Sequence, residues 1–236
     1  DGTVEMLRTK YPHVNLVDNA MNMGFSRANN NGIAAAIGRY VLILNDDTYI
    51  DNDAFSDVVS YMDKEEKIGI CGPKLLNPDG TIQKQGSLLS AGKWKSKVPV
   101  GVQMVIGACM FIRMSVIKEI GNFDQNLFFY NDDLDLCIRA KRSGNKVVYY
   151  PLSHVYHYGG YSSKKSANYT LFIEGVMGGL YFCKKHYLRP IYEAYRAFML
   201  ISALGMTFLS FFNADKRKAY SRIFTRTLKQ DLVHKY

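Results

Sequence analysis

Cysteine is scarce and widely spaced in this sequence. The four cysteines stand at positions 71, 109, 137 and 183, so the chain has no Cys-x-x-Cys pair. Zinc cages and disulfide frameworks both need cysteines at closer and more regular spacing. The sequence therefore predicts neither kind of site, and we expect all four thiols to be reduced residues in the core of a cytoplasmic protein.

A hydrophobic run long enough to cross a bilayer is also lacking, and no signal peptide is visible. The cleanest apolar stretch, Ala197–Phe212, has 16 residues, fewer than the roughly 20 that span a membrane. A cluster of cations, Lys216-Arg217-Lys218, follows it, and such clusters bind anionic headgroups on the cytoplasmic side. We therefore expect residues 166–236 to form a helical, basic region that associates peripherally with the inner face of the cell membrane. The alternatives are a buried helix at a homodimer interface and a core helix that covers the sheet.

Positive charge is concentrated at one end of the chain. The formal net charge is +9, and residues 213–236 contribute +5 of it through seven Lys or Arg and two Asp. A basic tail indicates an anionic partner, either a membrane or a nucleic acid. The tail lies behind an apolar helix and lacks the interleaved aromatic and basic residues of known RNA and DNA modules. The sequence therefore predicts no nucleic-acid partner.

The pattern of the first 150 residues predicts an α/β fold. Hydrophobic residues make up 47% of the 236, enough for one large domain or for a domain with an appendage. Strand-like and helix-like segments alternate, which is typical of a parallel sheet. The run Tyr40–Leu44 has no polar alternation and predicts a strand buried on both faces, in the middle of that sheet. A shorter run, Val14–Val17, predicts a further strand, and Asn77–Gly80 predicts the turn of a hairpin.

Carboxylates follow the predicted central strand directly, in the triplet Asn45-Asp46-Asp47. Open α/β sheets bind ligands at the carboxyl ends of their strands. Carboxylate oxygens also suit hard divalent cations, which commonly bridge to substrate phosphates. The triplet therefore indicates a Mg²⁺ or Mn²⁺ site, although an ordinary polar turn is the alternative, because Asn and Asp are common turn residues.

A second acidic stretch combines aromatic residues with carboxylates. Asp132, Asp133 and Asp135 come directly after the run Phe128-Phe129-Tyr130 and open a predicted helix. The helix dipole alone favours acid at that end. The helix dipole does not by itself explain three carboxylates directly behind an aromatic run. Repulsion between these carboxylates can raise the pKa of one of them, which suits a general base. Further along, His157 precedes Gly159-Gly160, a position from which it could bind a metal.

The segment Asn22–Ile33 combines glycine and asparagine at a predicted helix start. Ser26 is predicted to cap this helix. Gly24 permits close backbone approach, and asparagines such as Asn30 offer donors and acceptors near a helix N-terminus, which is an anion site. The alternative is a capped surface helix with no ligand.

Five motifs, taken together, resemble those of the family 2 glycosyltransferases, most closely the bacterial rhamnosyltransferase-like group. The motifs are Asn-x-Gly-Phe…Asn-x-Gly-Ile (22–33), Leu-Asn-Asp-Asp-Thr (44–48), Gly-Ala-Cys-Met-Phe-Ile-Arg (107–113), Asp-Asp-x-Asp-Leu-Cys-x-Arg (132–139) and His-x-Gly-Gly (157–160). They keep the family's order and spacing over about residues 1–165. The resemblance implies a GT-A fold over residues 1–165, with a mostly parallel sheet, flanking helices and a C-terminal helical appendage at 166–236.

The resemblance also implies an activity. Such a protein would move a sugar, with rhamnose as a candidate, from a nucleotide-sugar donor to a glycan or lipid-linked acceptor in the synthesis of cell-surface polysaccharide. The transfer would invert the anomeric carbon and would use a divalent cation. A catalytically inactive sugar-nucleotide-binding fragment of such a protein is the alternative.

Residue roles carry over from the motifs. Asp133 matches the general base and Asp132 its neighbour, while Asp47 and His157 match the metal side. The donor site would include Asn22, Gly24, Asn30, Asn45 and Asp46. Two features depart from the family pattern: the usual N-terminal strand before Asp1-Gly2-Thr3 is lacking, and the metal motif reads Asn-Asp-Asp rather than Asp-x-Asp.

Overall fold

The computed structural model describes residues 2–51, 53–85, 92–128, 130–159 and 169–234. Its helices are α1 Thr3–Lys10, α2 Gly24–Ala35, α3 Ala54–Lys64, α4 Met114–Ile120, α5 Asp132–Arg142, α6 Tyr169–His186, α7 Arg189–Leu209 and α8 Ala214–Lys229. Its strands are β1 Tyr40–Leu44, β2 Thr48–Tyr49, β3 Ile68–Leu76, β4 Val100–Gly101, β5 Cys109–Arg113 and β6 Lys146–His157. The predicted α/β class is therefore confirmed.

The sheet is mixed, whereas the sequence predicted a mostly parallel one. Its order is β1-β5-β3-β6-β2, and β4 also pairs with β6. Within the described strands, only β3 and β6 run parallel, and the pairs β1–β5, β3–β5, β2–β6 and β4–β6 are antiparallel. The prediction was wrong because a continuous apolar run shows that a strand is buried but does not show its direction.

Strand β1 lies at the end of the described strand order rather than in its middle. Val41 and Ile43 face one hydrophobic cluster, and Tyr40 and Leu42 pack on the other. The apolar run is continuous because both faces of β1 are in contact with core residues. Its central position was a wrong prediction, since burial of both faces does not require a neighbour on both edges.

Two helical layers cover the sheet. On one face, Ile33 of α2, Val116 of α4 and Leu136 of α5 join a cluster with the strands. On the other face, Val58 and Met62 of α3 are fully buried, as the helical spacing of the apolar residues in α3 requires. The strands of the sheet thus lie between two layers of helices.

One predicted strand is absent and one predicted hairpin is present. The structure has no strand at Val14–Val17, where both valines are exposed, so this short run buries too little apolar surface to be held in a sheet. The turn at Asn77–Gly80 does reverse the chain, and Leu76 forms an antiparallel bridge with Ile82. That hairpin brings Gln83 back beside β6.

The helices α6, α7 and α8 form a hydrophobic cluster of their own, which includes Met177, Leu180 and Ile223. Helix α7 packs mainly on α6 and α8, so it is not a core helix that covers the sheet. None of the helices in the described part of the chain is long and apolar enough to cross a membrane. The division of the chain at residues 165 and 166 stays a prediction.

A buried ionic cluster joins α6 to α5. The Asp135 side chain has no exposed surface, and its oxygens lie 2.8 Å from Arg139 Nε and 2.7 Å from both Lys185 Nζ and His186 Nε2. Burial raises the pKa of Asp135, but the hydrogen bond from Lys185 and the charge of Arg139 outweigh it and hold that pKa below its usual range. Lys185 also contacts Asp124 Oδ2 at 2.7 Å. The cluster fixes the C-terminal helices to the helix that carries Asp132 and Asp133.

Replacing Asp135 should therefore destabilise the fold. Asp135→Asn keeps the shape of the side chain but leaves buried cations without their anion, which typically costs about 3–5 kcal/mol. The free energy of unfolding, measured by urea denaturation, should fall on that scale. The matched control is Asp63→Asn, because Asp63 pairs with Arg39 at the surface and such pairs contribute little. Equal stability of the two variants would contradict the role of the cluster.

Candidate active site

The turn after β1 is held against the end of β6. Asn45 donates its backbone N–H to Ala108 O at 3.0 Å, and the Thr48 hydroxyl donates to Asn45 O at 2.7 Å. Thr48 pairs with His157 in the ladder between β2 and β6. Asp47 O accepts the N–H of Tyr158 at 2.9 Å. These backbone contacts bring the Asn45–Asp47 turn and His157 together, as the metal prediction requires.

Asp47 and His157 face each other through one pair of atoms. Asp47 Oδ1 lies 3.1 Å from His157 Nε2. The same carboxylate oxygen is buried and makes no hydrogen bond of acceptable geometry. A buried oxygen without a hydrogen bond is costly, so its position calls for a ligand of another kind.

Gln83 sets the orientation of the His157 ring. Gln83 Nε2 lies 3.2 Å from Asn77 Oδ1 and 3.4 Å from His157 O, and both of these atoms are acceptors. Its Oε1 therefore faces His157 Nδ1, at 2.7 Å, and accepts the proton of that nitrogen. In the neutral ring the lone pair then sits on Nε2, directed at Asp47 Oδ1 and at the amide of Asn45 3.3 Å away.

This pair of atoms fits a divalent cation. A carboxylate oxygen and an imidazole lone pair that face each other repel unless a cation or a proton lies between them. A histidine whose other nitrogen donates to a fixed oxygen is also the usual arrangement of a metal ligand. No group of three His, Cys, Asp or Glu suited to a metal occurs within the described residues. Mg²⁺ sites take few protein ligands and complete their shells with water and phosphate oxygens.

The second acidic group lies at the start of α5. Asp132 is buried and accepts the Ser26 hydroxyl at 3.4 Å and the Asp133 N–H at 3.1 Å. Asp133 is half-buried and accepts the Leu134 N–H at 2.8 Å. Ser26 lies inside α2, which begins at Gly24, so its predicted capping role was wrong: its side chain turns inward to Asp132 instead.

Burial decides the protonation of this pair. Burial, and then the charge of Asp133, raise the pKa of Asp132 to about 7, although the backbone amides and Ser26 lower it. Burial also raises the pKa of Asp133 to about 6, against hydrogen bonds from the amides of Leu134 and Gly107. Desolvation thus outweighs the helix N-terminus. The two carboxyls therefore titrate together near neutral pH, which is the range in which a general base works.

The backbone in front of this pair is strained. Tyr130 and Asn131 both have a φ of 65°, in the left-handed region that non-glycine residues rarely adopt. Asn131 is the N-cap of α5, directly before Asp132. Strain of this kind persists where the surrounding structure holds it and concentrates at functional sites. Here it turns the chain so that Asp132 and Asp133 open the helix side by side.

Gly107 and Ala108 connect the two groups. The Gly107 amide binds Asp133, and Ala108 O accepts the N–H of Asn45. A Cβ at Gly107 would lie 2.5 Å from the Phe25 ring, so only glycine allows α2 to pack this closely. Asp133 and the backbone of Asn45, which opens the turn that carries Asp47, are therefore bonded to two consecutive residues.

The predicted donor-binding residues lie in different settings. Asn22 accepts the Gly24 N–H at 3.0 Å in a turn, and Gly24 has a φ of +74° and abuts Phe128. The side-chain amide of Asn30 donates to Phe123 O at 2.9 Å, and its oxygen accepts the Phe123 N–H at 3.0 Å. These two bonds account for the position of the Asn30 side chain without a ligand. Asp46 is exposed. Donor contact by these residues stays a prediction.

A surface cleft of about 760 Å³ lies at the other end of β6. Its walls include the first residues of β3 and β6, Ile68 and Lys146, together with Lys93 and Lys141. None of the candidate site residues lines it. The cleft is therefore separate from the site at the carboxyl end of β6.

Comparison with known families identifies the chain. The model of the family described as "Glycosyltransferase like family 2" matches residues 1–171. The chain belongs to this family. The predicted family resemblance is thus confirmed, and its motifs include the residues of the Asp47–His157 and Asp132–Asp133 pairs.

Curated relatives of this chain include two rhamnosyltransferases. The N-acetylglucosaminyl-diphospho-decaprenol L-rhamnosyltransferase of Mycobacterium tuberculosis is 25% identical over 200 residues, which cover 69% of this chain and 64% of the relative. Rhamnosyltransferase WbbL of Escherichia coli K12 is 26% identical, with 60% and 63% covered. The low-salt glycan biosynthesis hexosyltransferase Agl10 of Haloferax volcanii is 28% identical, with 55% and 47% covered. The chain thus spans less than two thirds of the length of each.

Solved structures show the same fold. The mannosyltransferase PcManGT from Pyrobaculum calidifontis, in complex with GDP-Man and Mn²⁺, aligns with a TM-score of 0.56 at 13% identity, over 97% of this chain and 63% of that one. GalNAc-T7 with UDP, GalNAc and Mn²⁺ aligns with a TM-score of 0.52 at 18% identity, over 65% and 35%. The predicted GT-A fold is confirmed.

Sequence reasoning missed two residues of the site. Gln83, which orients His157, lies 74 positions away from it in the chain, and no motif marks it. Gly107 stood in a recognised motif, but nothing in that motif indicated that its amide binds Asp133. Both contacts depend on how the hairpin and β5 pack, which local sequence does not specify.

The metal assignment predicts that Asp47→Ala abolishes cation-dependent nucleotide binding. Titration calorimetry with a nucleoside diphosphate, with and without Mn²⁺, measures it. The variant should lose the gain in affinity that Mn²⁺ gives the wild type, because a buried ligand oxygen is gone. Gln83→Leu should weaken Mn²⁺ by about 10–100-fold, the usual cost of losing the partner that orients a ligand.

The matched control for this experiment is Asp63→Ala, which removes a carboxylate at the end of α3, away from the site. It should bind Mn²⁺ and nucleotide as the wild type does. An Asp47→Ala variant that keeps the full effect of Mn²⁺ would overturn the assignment.

Proposed function

We propose that this glycosyltransferase transfers a sugar from a nucleotide-sugar donor to a glycan or lipid-linked acceptor in the synthesis of cell-surface polysaccharide, with inversion at the anomeric carbon. Rhamnose is the first sugar to test, because two relatives are named as rhamnosyltransferases. Family membership supports the reaction class.

One observation carries the proposal. The Gly107 amide binds Asp133, and the carbonyl of the next residue, Ala108, accepts the N–H of Asn45, two positions before Asp47, which faces His157. A base near one residue and a cation-binding pair near the next are the two groups that such a transfer needs. A purely structural acidic turn would not require both.

The residues on the metal side hold the diphosphate end of the donor. Asp47 and His157 would bind a Mg²⁺ or Mn²⁺ ion, and Gln83 and Asn45 keep the imidazole in position. The cation supplies positive charge that stabilises the departing nucleoside diphosphate. Mn²⁺ is present in solved structures of two proteins with this fold.

The carboxyl side acts on the acceptor. Asp133 takes the proton of the acceptor hydroxyl as its oxygen attacks the anomeric carbon and the bond to the nucleoside diphosphate breaks. A single displacement of this kind inverts the configuration. Asp133 is assigned as the base because it is the more accessible of the pair, whereas Asp132 is buried against Ser26.

Stereochemistry gives the most specific test of this proposal. The protein is incubated with Mn²⁺, a panel of nucleotide-sugars that includes a nucleotide-rhamnose, and lipid-linked or glycan acceptors. One donor should be consumed, and NMR of the product should show the anomeric configuration opposite to that of the donor. Retention of configuration would contradict the single displacement. Failure to turn over any donor that it binds would favour the inactive, sugar-nucleotide-binding alternative.

Asp133→Asn should lower turnover by about a hundredfold or more, the usual cost of losing a positioned base. The two side chains have nearly the same shape, so binding of Mn²⁺ and donor should survive. Asp132→Asn should cost less, because Asp132 acts on its neighbour. If Asp132→Asn abolishes turnover while Asp133→Asn retains it, the assignment within the pair is reversed.

The pH profile of the wild type is a second readout of the same base. A base must be ionised to act, and the pKa of Asp133 is raised to about 6. Turnover should therefore fall as the pH drops through about 6, rather than near the usual carboxyl value of about 4. Ser26→Ala removes a hydrogen bond that lowers the pKa of Asp132. The proton of the pair should then stay more firmly on Asp132, so the fall in turnover that Asp133 sets should not move to higher pH. A fall in turnover only near pH 4 would contradict the raised pKa of the buried pair.

A further inference from the structure

Helix α7 has one fully apolar exposed face. Every exposed residue between positions 194 and 212 is Ala, Gly, Leu, Ile or Phe. The large ones are Phe198, Ile201, Leu204, Phe208, Leu209, Phe211 and Phe212. Phe208 is 73% exposed and Phe212 is 99% exposed. A contiguous apolar surface of this kind on a water-soluble fold marks an interaction site.

The face is not needed to hold the helical region together. The opposite side of α7 makes the internal contacts, through the buried Tyr192 and Ala203. Arg196 also lies on that side, where it donates to Thr227 O and Leu228 O of α8 at 3.2 and 3.1 Å. The packing of α6, α7 and α8 therefore leaves the phenylalanine face outward.

Three cations stand directly beyond this face. Lys216, Arg217 and Lys218 lie in the first five residues of α8, which begins at Ala214. The N-terminus of a helix carries partial positive charge, so cations there oppose the helix dipole. Helix stability does not account for them. Their place next to Phe211 and Phe212 suits an anionic partner.

We propose that the apolar face of α7 and the Lys216–Lys218 cluster together form a docking surface for an anionic lipid bilayer. Helix α7 would lie in the plane of the interface, with Phe198, Ile201 and Phe208 in the acyl region and the cations among the headgroups. This is the arrangement of an interfacial amphipathic helix. It is consistent with the finding that no described helix is suited to span the membrane.

The charges favour a bilayer over a second copy of the chain. Anionic headgroups complement Lys216, Arg217 and Lys218. A second copy would bring an identical apolar face and identical cations, so the cluster would gain no partner of opposite sign. The combination of large apolar side chains and adjacent cations thus selects a lipid surface.

Flotation with vesicles tests this proposal on the full chain. Vesicles of phosphatidylcholine with and without phosphatidylglycerol are mixed with the wild type and with the variant Phe198→Ser, Phe208→Ser, Phe212→Ser. The wild type should float with the anionic vesicles. The triple variant should bind them at least about tenfold more weakly, because burial of each phenylalanine contributes more than that factor.

A charge variant tests the second half of the surface. Lys216→Glu, Arg217→Glu, Lys218→Glu should remove the preference for phosphatidylglycerol and the sensitivity of binding to salt. The matched apolar control is Ile37→Ser, because Ile37 is fully exposed but stands before β1, outside α7. It should bind as the wild type does. Circular dichroism checks that all variants keep their helical content.

Several results would overturn the proposal. One is wild-type protein that does not float with anionic vesicles. Another is equal binding of the wild type and the triple phenylalanine variant. A third is a wild-type dimer in light scattering that the triple variant dissociates while vesicle binding stays unchanged, since that result assigns the face to a second copy.

Discussion

The buried carboxylate of Asp135 is the interaction on which the arrangement of the molecule depends. It contacts Arg139 within α5 and Lys185 and His186 of α6. It therefore links the helix that carries the carboxyl pair to the C-terminal helices. Because the side chain is fully buried, each partner is needed to offset the loss of hydration. A movement of α6 would therefore displace Asp135, which lies in the first turn of α5 two residues after Asp133.

The three aspartates at the start of α5 lie in two opposite electrostatic environments. Asp135 lies against the cations Arg139 and Lys185 and accepts a hydrogen bond from His186, and its pKa is held low. The hydrogen bonds that Asp132 and Asp133 accept within the described residues come from Ser26 and from backbone amides, and burial raises both pKa values. The low pKa keeps Asp135 ionised as a structural charge, whereas Asp132 and Asp133 can exchange a proton near neutral pH. Three aspartates in four positions thus divide into one anchor and one proton-accepting pair.

The sequence predicted which residues come together at the site better than the topology around them. The pairing of Asp47 with His157 followed from two motifs, because the carboxyl ends of core strands meet at one edge. The direction of β5 did not follow, since apolar runs carry no direction. The inward turn of Ser26 was also missed, because a serine near a helix start is normally a cap and only the packing of α2 on α5 turns it toward Asp132. Gln83 needed the hairpin to be folded before its role was visible.

The central claim is that Asp47 and His157 hold a divalent cation in the site that the Asp132–Asp133 pair completes. Anomalous diffraction at the manganese edge, from crystals soaked with Mn²⁺ and a nucleoside diphosphate, tests it most directly. The account predicts a single strong peak within coordination distance of Asp47 Oδ1 and His157 Nε2, with diphosphate oxygens completing the shell. A peak elsewhere, or bound nucleotide with no metal between these two atoms, would contradict it.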